Sequence, residues 1–253
     1  MSRAARIAWW RAGVIVGAIL LIELLCRTGI ISPLVLLPPS EMAATLWELL
    51  LAGEVTHHMA QTFSTVAIAF VLSVAVGCAI GAVVHRLPRV RRAIDPLLAS
   101  YYSIPFFVFY PLLIALFGLN TAPLVVIGFV FAMAAMVIAT LNGLDRVPRV
   151  LLKTARVHRL GRVRSVFLIT LPAAAPYLFT GLKLALAYSF IGVIAGEFIL
   201  SGGGLGYSIA YAYESFDNKT MYALMLFVLL IVTAMNMALH VWEQRFLKRR
   251  SRQ

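Results

Sequence analysis

Residues 145–170 read DRVPRVLLKTARVHRLGRVRSVFLIT and separate two long apolar runs. This stretch carries seven of the chain's 22 Lys and Arg residues, and Leu171-Pro172 follow it directly. A polar segment between two membrane spans lies at a membrane face, and a basic one lies on the cytoplasmic face. The stretch therefore sets the topology of the chain. Residues 150–165 follow Pro148 and favour a helix, so the sequence predicts a cytoplasmic helix that another protein can grip.

The composition is that of a membrane protein. Of the 253 residues, 62% are hydrophobic and 13% are charged, and the mean hydropathy is +0.92. A soluble domain has about 45–50% apolar and about 25% charged residues, so we predict an integral membrane protein. The formal net charge of +12 would suit a nucleic-acid binder. However, the basic residues cluster at the ends of apolar runs and not along one face, so we expect no nucleic-acid partner.

Six apolar segments are long enough to cross a membrane as helices, since a span needs roughly 20 apolar residues. They cover residues 12–31, 62–84, 96–117, 123–144, 171–200 and 221–241. The predicted fold is therefore all-α, with six transmembrane helices and the basic helix between the fourth and the fifth. No small-residue cleavage site follows the first apolar segment, which favours a retained span over a signal peptide.

The loops determine the orientation of these spans. With the N-terminus inside, residues 1–11, 85–95, 145–170 and 242–253 are cytoplasmic, and they hold 19 of the 22 Lys and Arg residues. Because positive residues accumulate on the cytoplasmic side, both termini are predicted to be cytoplasmic. The chain then divides into an N-terminal segment (1–11), one transmembrane domain (12–241, including the loop 145–170) and a basic tail (242–253).

Two features are expected on the outer side. Pro38-Pro39-Ser40-Glu41 precede an apolar run that ends at Gly53, which predicts a short amphipathic helix. Residues 201–207 read SGGGLGY and predict a tight turn, since no Lys-Ser/Thr follows to make a phosphate-binding loop. No Walker A sequence occurs in the chain, so we do not expect it to hydrolyse ATP by that route. His57 and His58 lie outside without visible partners for a metal.

Charged residues are costly within membrane spans and are often functional there, and Glu23, Lys183 and Glu197 are the candidates of this kind. Glu23 precedes Arg27 by four residues, so these two are expected to form a pair. For Lys183 the sequence leaves two alternatives open: the ammonium group attracts an anionic solute, or it pairs with a neighbouring helix. Glu197, near the outer end of the fifth span, is a candidate for the translocation pathway, although a structural role in an outer gate is favoured.

The third span contains two prolines, in the sequence YYSIPFFVFYP at residues 101–111. Each proline removes a backbone donor, so the sequence predicts a kink. A break beside polar aromatic residues is typical of a gate or a pore lining in transporters. The alternative is ordinary packing of aromatic rings against a kinked neighbour. The candidate pathway residues here are Tyr102, Ser103 and Tyr110, and Asn142, Tyr188 and Ser189 are further candidates of the same kind.

Four segments of the chain resemble a known family, and they occur in the order that the family has. They are LLPPSEMAATLWELL, IDPLLASYYSIPFFVFYPLLIALFGLN, LNGLDRVPRVLLKTAR and LPAAAPYLFTGLKLALAYSFIGVIAGEFILSGGGLGYSI. These segments are similar to the inner-membrane permease subunits of bacterial ABC importers, in the nitrate/sulfonate/taurine group. The resemblance runs over nearly the whole chain and implies a permease domain in the bacterial inner membrane.

In that family the loop before the fifth span carries a coupling helix that docks on an ATPase subunit. Its motif begins Glu-Ala-Ala, continues to a Gly and ends Ile/Leu-x-Leu-Pro. Counting back from Leu171-Pro172 places the start of the motif on Lys153 and its Gly position on Arg159. Gly161 lies two residues further on, so a local shift of register stays open. The resemblance implies a docking role for Lys153, Thr154, Ala155, Arg156, Arg159 and Gly161.

The resemblance also implies the partners. They are a second copy of the chain, two ABC ATPase subunits that use ATP and Mg, a periplasmic or lipid-anchored substrate-binding protein, and membrane lipids. This chain itself is expected to bind no cofactor and no metal, and its solute is expected to be a small organic anion such as a taurine-like sulfonate.

Two other classes of protein compete with this interpretation. A self-sufficient secondary transporter or channel would show internal repeats and carboxylates for ion coupling within the spans. A membrane-embedded enzyme would need a cluster of His, Asp or Glu at one membrane face. Neither class requires the basic loop.

Overall fold

The computed structural model describes the backbone of residues 3–250, and the side chains of these residues except 3–8, 11, 12, 162, 200 and 247–250. Within this part of the chain all regular structure is helical, which confirms the predicted all-α fold. Two short 3-10 helices, Tyr101–Ser103 and Phe106–Phe109, and a π-helical turn, Val166–Thr170, accompany the α-helices. The α-helices are α1 (Arg3–Arg27), α2 (Pro39–Ala52), α3 (Thr56–Arg86), α4 (Pro88–Ser100), α5 (Tyr110–Phe117), α6 (Ala122–Asp145), α7 (Arg149–Val157), α8 (Arg162–Ser165), α9 (Leu171–Leu200), α10 (Leu205–Glu214) and α11 (Asn218–Arg250).

Several helical segments of the described chain are long and apolar enough to cross a membrane. Four of them are Thr56–Arg86, Ala122–Asp145, Val163–Ile199 and Asn218–Phe246. The bent pair Pro88–Ser103 and Phe106–Phe117 makes a fifth if its halves count as one span. The first predicted span overlaps α1, which is not among these segments. A transmembrane helical fold is thus supported, and the count of six spans stays a prediction.

The third predicted span is broken more sharply than a kink would be. Its two halves meet at an angle of 83°. Pro105 precedes the second 3-10 helix and Pro111 lies in the first turn of α5. Each proline removes a backbone N–H donor and crowds the preceding turn, and with two prolines so close together the α-helix breaks here. The N–H of Val108 instead bonds to the carbonyl of Pro105, at 2.9 Å, which is the short-range bond of a 3-10 helix.

The centre of the fold is α6, which packs between α3 and α9. The backbones of α6 and α9 cross at Gly128 and Gly192, where a Cβ built on Gly192 would lie 2.8 Å from the Cα of Gly128. No side chain other than hydrogen fits between the two backbones at this point. Small residues allow such close approaches between membrane helices, which gain stability from packing.

The predicted amphipathic helix between the first two spans is present as α2. It starts at Pro39 and ends before Gly53, whose φ of +73° is the left-handed conformation that closes a helix. Leu46 is buried against α11, in a cluster that also contains Leu205 and Leu224. α2 therefore lies on the same end of the bundle as the start of α10 and the start of α11.

The basic loop does not form one helix over residues 150–165, so that prediction is wrong. α7 and α8 are separated by residues 158–161, which we call the α7 turn. The N–H of Leu160 reaches back to the carbonyl of Ala155, at 2.9 Å, and Arg159 adopts a φ of +49°. This hydrogen bond and the left-handed residue close the C-terminus of a helix. Neither Pro nor Gly stands at the point of closure, which is why helix propensity predicted a continuous helix.

Candidate functional site

α7 has one exposed face with apolar ends and a polar middle. Val150 and Val157 are 71% and 80% exposed, and Lys153 and Thr154 lie between them on the same face. Residues three, four and seven positions apart share a face of a helix. An apolar anchor surrounded by polar groups is the usual composition of a protein interface. Val150 is not among the predicted docking residues, although its seven-residue spacing from Val157 is the signal that identifies it.

Ala155 faces away from this surface. It is 3% exposed and its carbonyl is used to close the α7 turn. The predicted docking contact of Ala155 is therefore not available in this structure, because the residue packs within its own chain. Arg156, Arg159 and Gly161 are exposed and lie at the end of α7 or in the α7 turn.

The α7 turn also bears on the register of the motif. Arg159, which falls on the Gly position, has the positive φ that glycine adopts without strain. Gly161 is not among the described residues with positive φ. The backbone thus favours the register in which the motif starts at Lys153, without a shift.

Four side chains connect the end of α6 to α3 and α4, and we call them the Arg91 clasp. Arg91 donates from Nη1 to Oδ1 of Asp145 at 2.6 Å and from Nη2 to Oδ2 at 2.5 Å. His85 Nε2 lies 3.3 Å from Oδ1 of Asp145, and Arg91 Nε lies 3.8 Å from Oδ2 of Asp95. Two parallel bonds between a guanidinium and a carboxylate fix the geometry of the pair. This group is not apparent from the sequence, since Arg91 and Asp145 are 54 residues apart.

The broken third span brings two predicted pathway residues together. The rings of Tyr102 and Tyr188 stack with their centroids 4.8 Å apart, and Ser103 is exposed beside them. The hydroxyl of Tyr101 donates to the carbonyl of Val130 at 2.7 Å, which attaches the break to α6. The structure thus forms an aromatic surface at the bend, on which the ring of Tyr102 is exposed and that of Tyr188 is partly exposed.

Three other predicted pathway residues do not join this surface. Tyr110 is buried among Leu124 and Ile127, so its ring forms part of the core within one chain. Ser189 is also buried, and no hydrogen-bond partner of its Oγ is found among the described residues. Asn142 is exposed at the other end of α6, in a 210 Å³ pocket that it shares with Arg91 and other residues near the clasp.

Lys183 pairs with a neighbouring helix, which is one of the two alternatives that the sequence left open. Its Nζ donates to Oε2 of Glu243 in α11 at 2.7 Å, and Nδ1 of His240 lies 3.3 Å from the same oxygen. The positive charge is therefore compensated and is not free to attract an anion in this arrangement. Glu243 was missed because it was assigned to the tail, whereas α11 continues beyond it.

Glu197 is 1% exposed. Together with Thr62 and His58 of α3, it binds the backbone N–H groups at the start of α10. Its carboxylate accepts the N–H of Gly206 at 3.0 Å and the hydroxyl of Thr62 at 2.8 Å. The Oγ1 of Thr62 in turn accepts the N–H of Leu205 at 2.7 Å. Carboxylates are favourable at helix N-termini, where backbone N–H groups lack partners within the helix. We call these hydrogen bonds the Glu197 network. They agree with the structural role that the sequence favoured for Glu197.

A fourth contact completes the hydrogen bonding of the glycine turn at residues 201–206. The N–H of Gly204 donates to Nδ1 of His58 at 3.1 Å, which requires the tautomer with its proton on Nε2. Gly204 has a φ of +101°, and a Cβ at this position would collide with the carboxylate of Glu197. His58 is half-buried, and its Nδ1 stabilises the glycine turn by accepting this hydrogen bond. Within the described part of the chain, no group of three His, Cys, Asp or Glu residues is placed to hold a metal ion.

The predicted pair of Glu23 and Arg27 is confirmed, with Nε of Arg27 at 2.5 Å from Oε1 of Glu23. The same carboxylate accepts both the hydroxyl and the N–H of Ser40, at 2.6 and 3.0 Å. Because Ser40 lies in the first turn of α2, the pair also joins the end of α1 to α2.

Residues 72–252 match the family described as the binding-protein-dependent transport system inner membrane component. The nitrate import permease protein of Leptolyngbya laminosa is 28% identical over 178 residues, which are 70% of this chain and 64% of that protein. An aliphatic sulfonates transport permease protein of Bacillus subtilis is 25% identical over 96% of this chain and 88% of its own length. The taurine transport system permease protein of Escherichia coli is 24% identical, over 85% and 80% of the two chains.

A solved structure shows a similar fold. A chain of the MetNI methionine ABC transporter, in an inward-facing conformation, superposes with a TM-score of 0.66 over 76% of this chain and 95% of its own length. The two sequences are 17% identical, so this likeness concerns the fold.

Proposed function

The chain belongs to the family of inner membrane components of binding-protein-dependent transport systems, as an ABC transporter permease of the nitrate/sulfonate/taurine group, and from this premise we propose that two copies of it form the solute pathway of an ATP-driven importer. In this proposal the chain is not an enzyme. ATP and Mg are used by two separate ATPase subunits, and this chain binds no cofactor. A periplasmic or lipid-anchored binding protein delivers the solute from outside, and membrane lipids surround the spans.

The observation that carries the proposal is the exposed face of α7. Val150 and Val157 leave two apolar side chains unpacked on a helix that also carries the basic residues Arg149, Lys153 and Arg156. We assign this face to the ATPase subunit, together with Lys153, Thr154 and Arg156 at its polar positions. Arg159 and Gly161, in the α7 turn, lie at the rim of the contact.

The proposed topology follows from the distribution of charge. Six spans place residues 1–11, the loop 145–170 and the tail 242–253 on the cytoplasmic side of a bacterial inner membrane, with the permease domain at 12–241. Positive residues concentrate in these segments, as expected for cytoplasmic loops. The Glu197 network and α2 then lie on the outer side, and α7 and the Arg91 clasp lie on the inner side.

The proposed solute is a small organic anion, such as a taurine-like sulfonate. This choice is supported by the names of the relatives, which are permeases for nitrate, aliphatic sulfonates and taurine. The exposed surface of Tyr102, Ser103 and Tyr188 is the proposed contact with the solute. Lys183 contributes a positive charge to the pathway only when its pair with Glu243 opens.

Capture of the ATPase tests this proposal. A tagged chain is purified from membranes together with the ABC ATPase encoded beside it, and the Val157→Asp variant is compared with wild type. Removing one fully desolvated anchor of an interface costs about 2 kcal/mol, so we expect the recovery of ATPase at limiting concentration to fall roughly 30-fold. Val35→Asp is the matched control, because Val35 is 66% exposed on a different loop.

The outcome separates the two classes of transporter that the sequence left in competition. A complex of two permeases and two ATPases, weakened by Val157→Asp and not by Val35→Asp, supports the importer. A chain that captures no ATPase and takes up solute alone in liposomes would instead be a secondary transporter or a channel.

A further inference from the structure

We infer that the Arg91 clasp is the joint through which movement of α7 reaches the broken third span. This inference rests on the proposed function, and it assigns to Arg91 a positioning role that the motif of the basic loop does not include.

The clasp joins the segment that precedes α7 to the hairpin of α3 and α4. Asp145 is the last residue of α6, and only residues 146–148 separate it from the start of α7. Val147 in this connection is buried, so the connection is packed and short. A displacement of α7 is therefore passed to Asp145 with little slack. Asp145 in turn is held by both terminal nitrogens of Arg91.

α4 has few other attachments to the rest of the chain. None of its described residues is buried. Its apolar contacts with the core are made by Ile94 and Leu98, which are partly buried against Val84, Val137 and Leu141. Its polar link to α6 is the bidentate bond of Arg91 to Asp145. Because a planar guanidinium and a carboxylate with two parallel bonds resist both rotation and sliding, this link fixes the direction of α4 as well as its distance.

α4 leads directly to the aromatic surface. The 3-10 helix Tyr101–Ser103 follows α4 without interruption, and it carries Tyr102, whose ring stacks on Tyr188. The bend of 83° lies just beyond. A rotation of α4 therefore moves Tyr102 relative to α9, and the bend lets it do so without moving the whole span. The physical path runs from α7 through Asp145 and Arg91 to Tyr102.

The test measures the opening of the bend on ATP binding. The reference chain carries Cys26→Ser and Cys78→Ala, which remove its own cysteines. Val108→Cys then adds a single cysteine at an exposed position just after the bend. Spin labels on the two copies report the distance between them in the full complex in nanodiscs, before and after trapping with ATP and vanadate. Arg91→Gln is expected to leave ATP hydrolysis in place. We expect it to change the ratio of the populations with the untrapped and the trapped label distance, measured after trapping, roughly 2- to 30-fold.

Two further variants identify the bond as the cause. Asp145→Asn is expected to have the same effect as Arg91→Gln, and the double variant is expected to be no worse than either alone, because both changes remove one interaction. Arg89→Gln removes the same charge two residues away and is expected to leave the distances as in wild type. Thermal unfolding of each variant, followed by size-exclusion chromatography, separates this effect from loss of the fold.

The possible failures are distinguishable. A wild-type chain that captures no ATPase overturns the proposed function and this inference together. In a second case the complex assembles and hydrolyses ATP, but trapping changes the label distances equally in the reference chain and in Arg91→Gln. That result overturns this inference alone. An equal loss of response in Arg89→Gln also overturns it, since the effect would then come from charge and not from the clasp.

Discussion

Two helix ends in this chain satisfy their backbone groups in opposite ways. At the start of α10, the N–H groups of Gly204, Leu205 and Gly206 each donate to a side chain from α3 or α9, in a buried or partly buried position. At the end of α7, the backbone turns back on its own helix, with exposed Arg159 in a left-handed conformation. The first end depends on neighbouring helices, and the second does not. The comparison indicates a fixed element on one side and, on the other, an element that can contact a partner without disturbing the core.

The largest effect is expected from Gly204→Ala, which attacks the first end directly. Its φ of +101° and ψ of +171° belong to a region that only glycine occupies readily, and the added Cβ would displace the carboxylate of Glu197. We expect a loss of about 3 kcal/mol or more in the free energy of unfolding, or no folded protein. Thermal unfolding monitored by size-exclusion chromatography measures it. Gly202→Ala is the matched control, because no atom lies within 4 Å of the added Cβ there.

A smaller loss is expected from Glu197→Gln, which keeps the shape of the side chain and removes its charge. The amide oxygen can still accept hydrogen bonds from Thr62 and from Gly206, which share Oε2 of Glu197, but neither bond then has a charged acceptor. We expect a loss of about 1–2 kcal/mol in the free energy of unfolding. Glu54→Gln, at an exposed position, is the control and should change stability very little. Equal effects of the two substitutions would mean that the Glu197 network is not a fixed element.

The smallest effect, and one of opposite sign, is expected at the second end. The left-handed conformation costs a residue with a Cβ about 1–2 kcal/mol, and Arg159→Gly removes this cost. Part of the gain in stability is lost again, because glycine has more conformational freedom in the unfolded chain. We expect a net gain of about 0.5 kcal/mol in the free energy of unfolding. Arg156→Gly, three residues earlier and inside α7, should instead lose about 1 kcal/mol. A loss of stability in both variants would contradict the α7 turn and would favour a continuous helix over this stretch.

The all-helical fold could be predicted from the sequence because apolar runs of sufficient length have few alternatives in lipid. The break in the third span and the Glu23–Arg27 pair could also be predicted, because their causes are local: a missing N–H at Pro105 and a spacing of four residues. The end of α7 could not be predicted, because the left-handed residue is Arg159 and arginine has no preference for that conformation.

The candidate site was predictable only in part, for a related reason. The bond of Lys183 to Glu243 and the bond of Arg91 to Asp145 join residues that are 60 and 54 positions apart, and a sequence without a fold does not show which helices are neighbours. The inward direction of Ala155 depends on the same information. Residue type identified Tyr102 and Tyr188 as candidates, but only the fold stacks their rings.

The crossing of α6 and α9 at Gly128 and Gly192 has a consequence for how such a chain can diverge. At that point main-chain atoms face each other, so the angle between the two helices does not depend on the choice of any rotamer. Gly181 and Gly196 of α9 are close to α6 in the same way, at Ala139 and Leu124, so freedom to exchange residues is left to the positions that face away from this contact. Divergence of such a chain is therefore expected at those outward positions, with the angle between α6 and α9 unchanged.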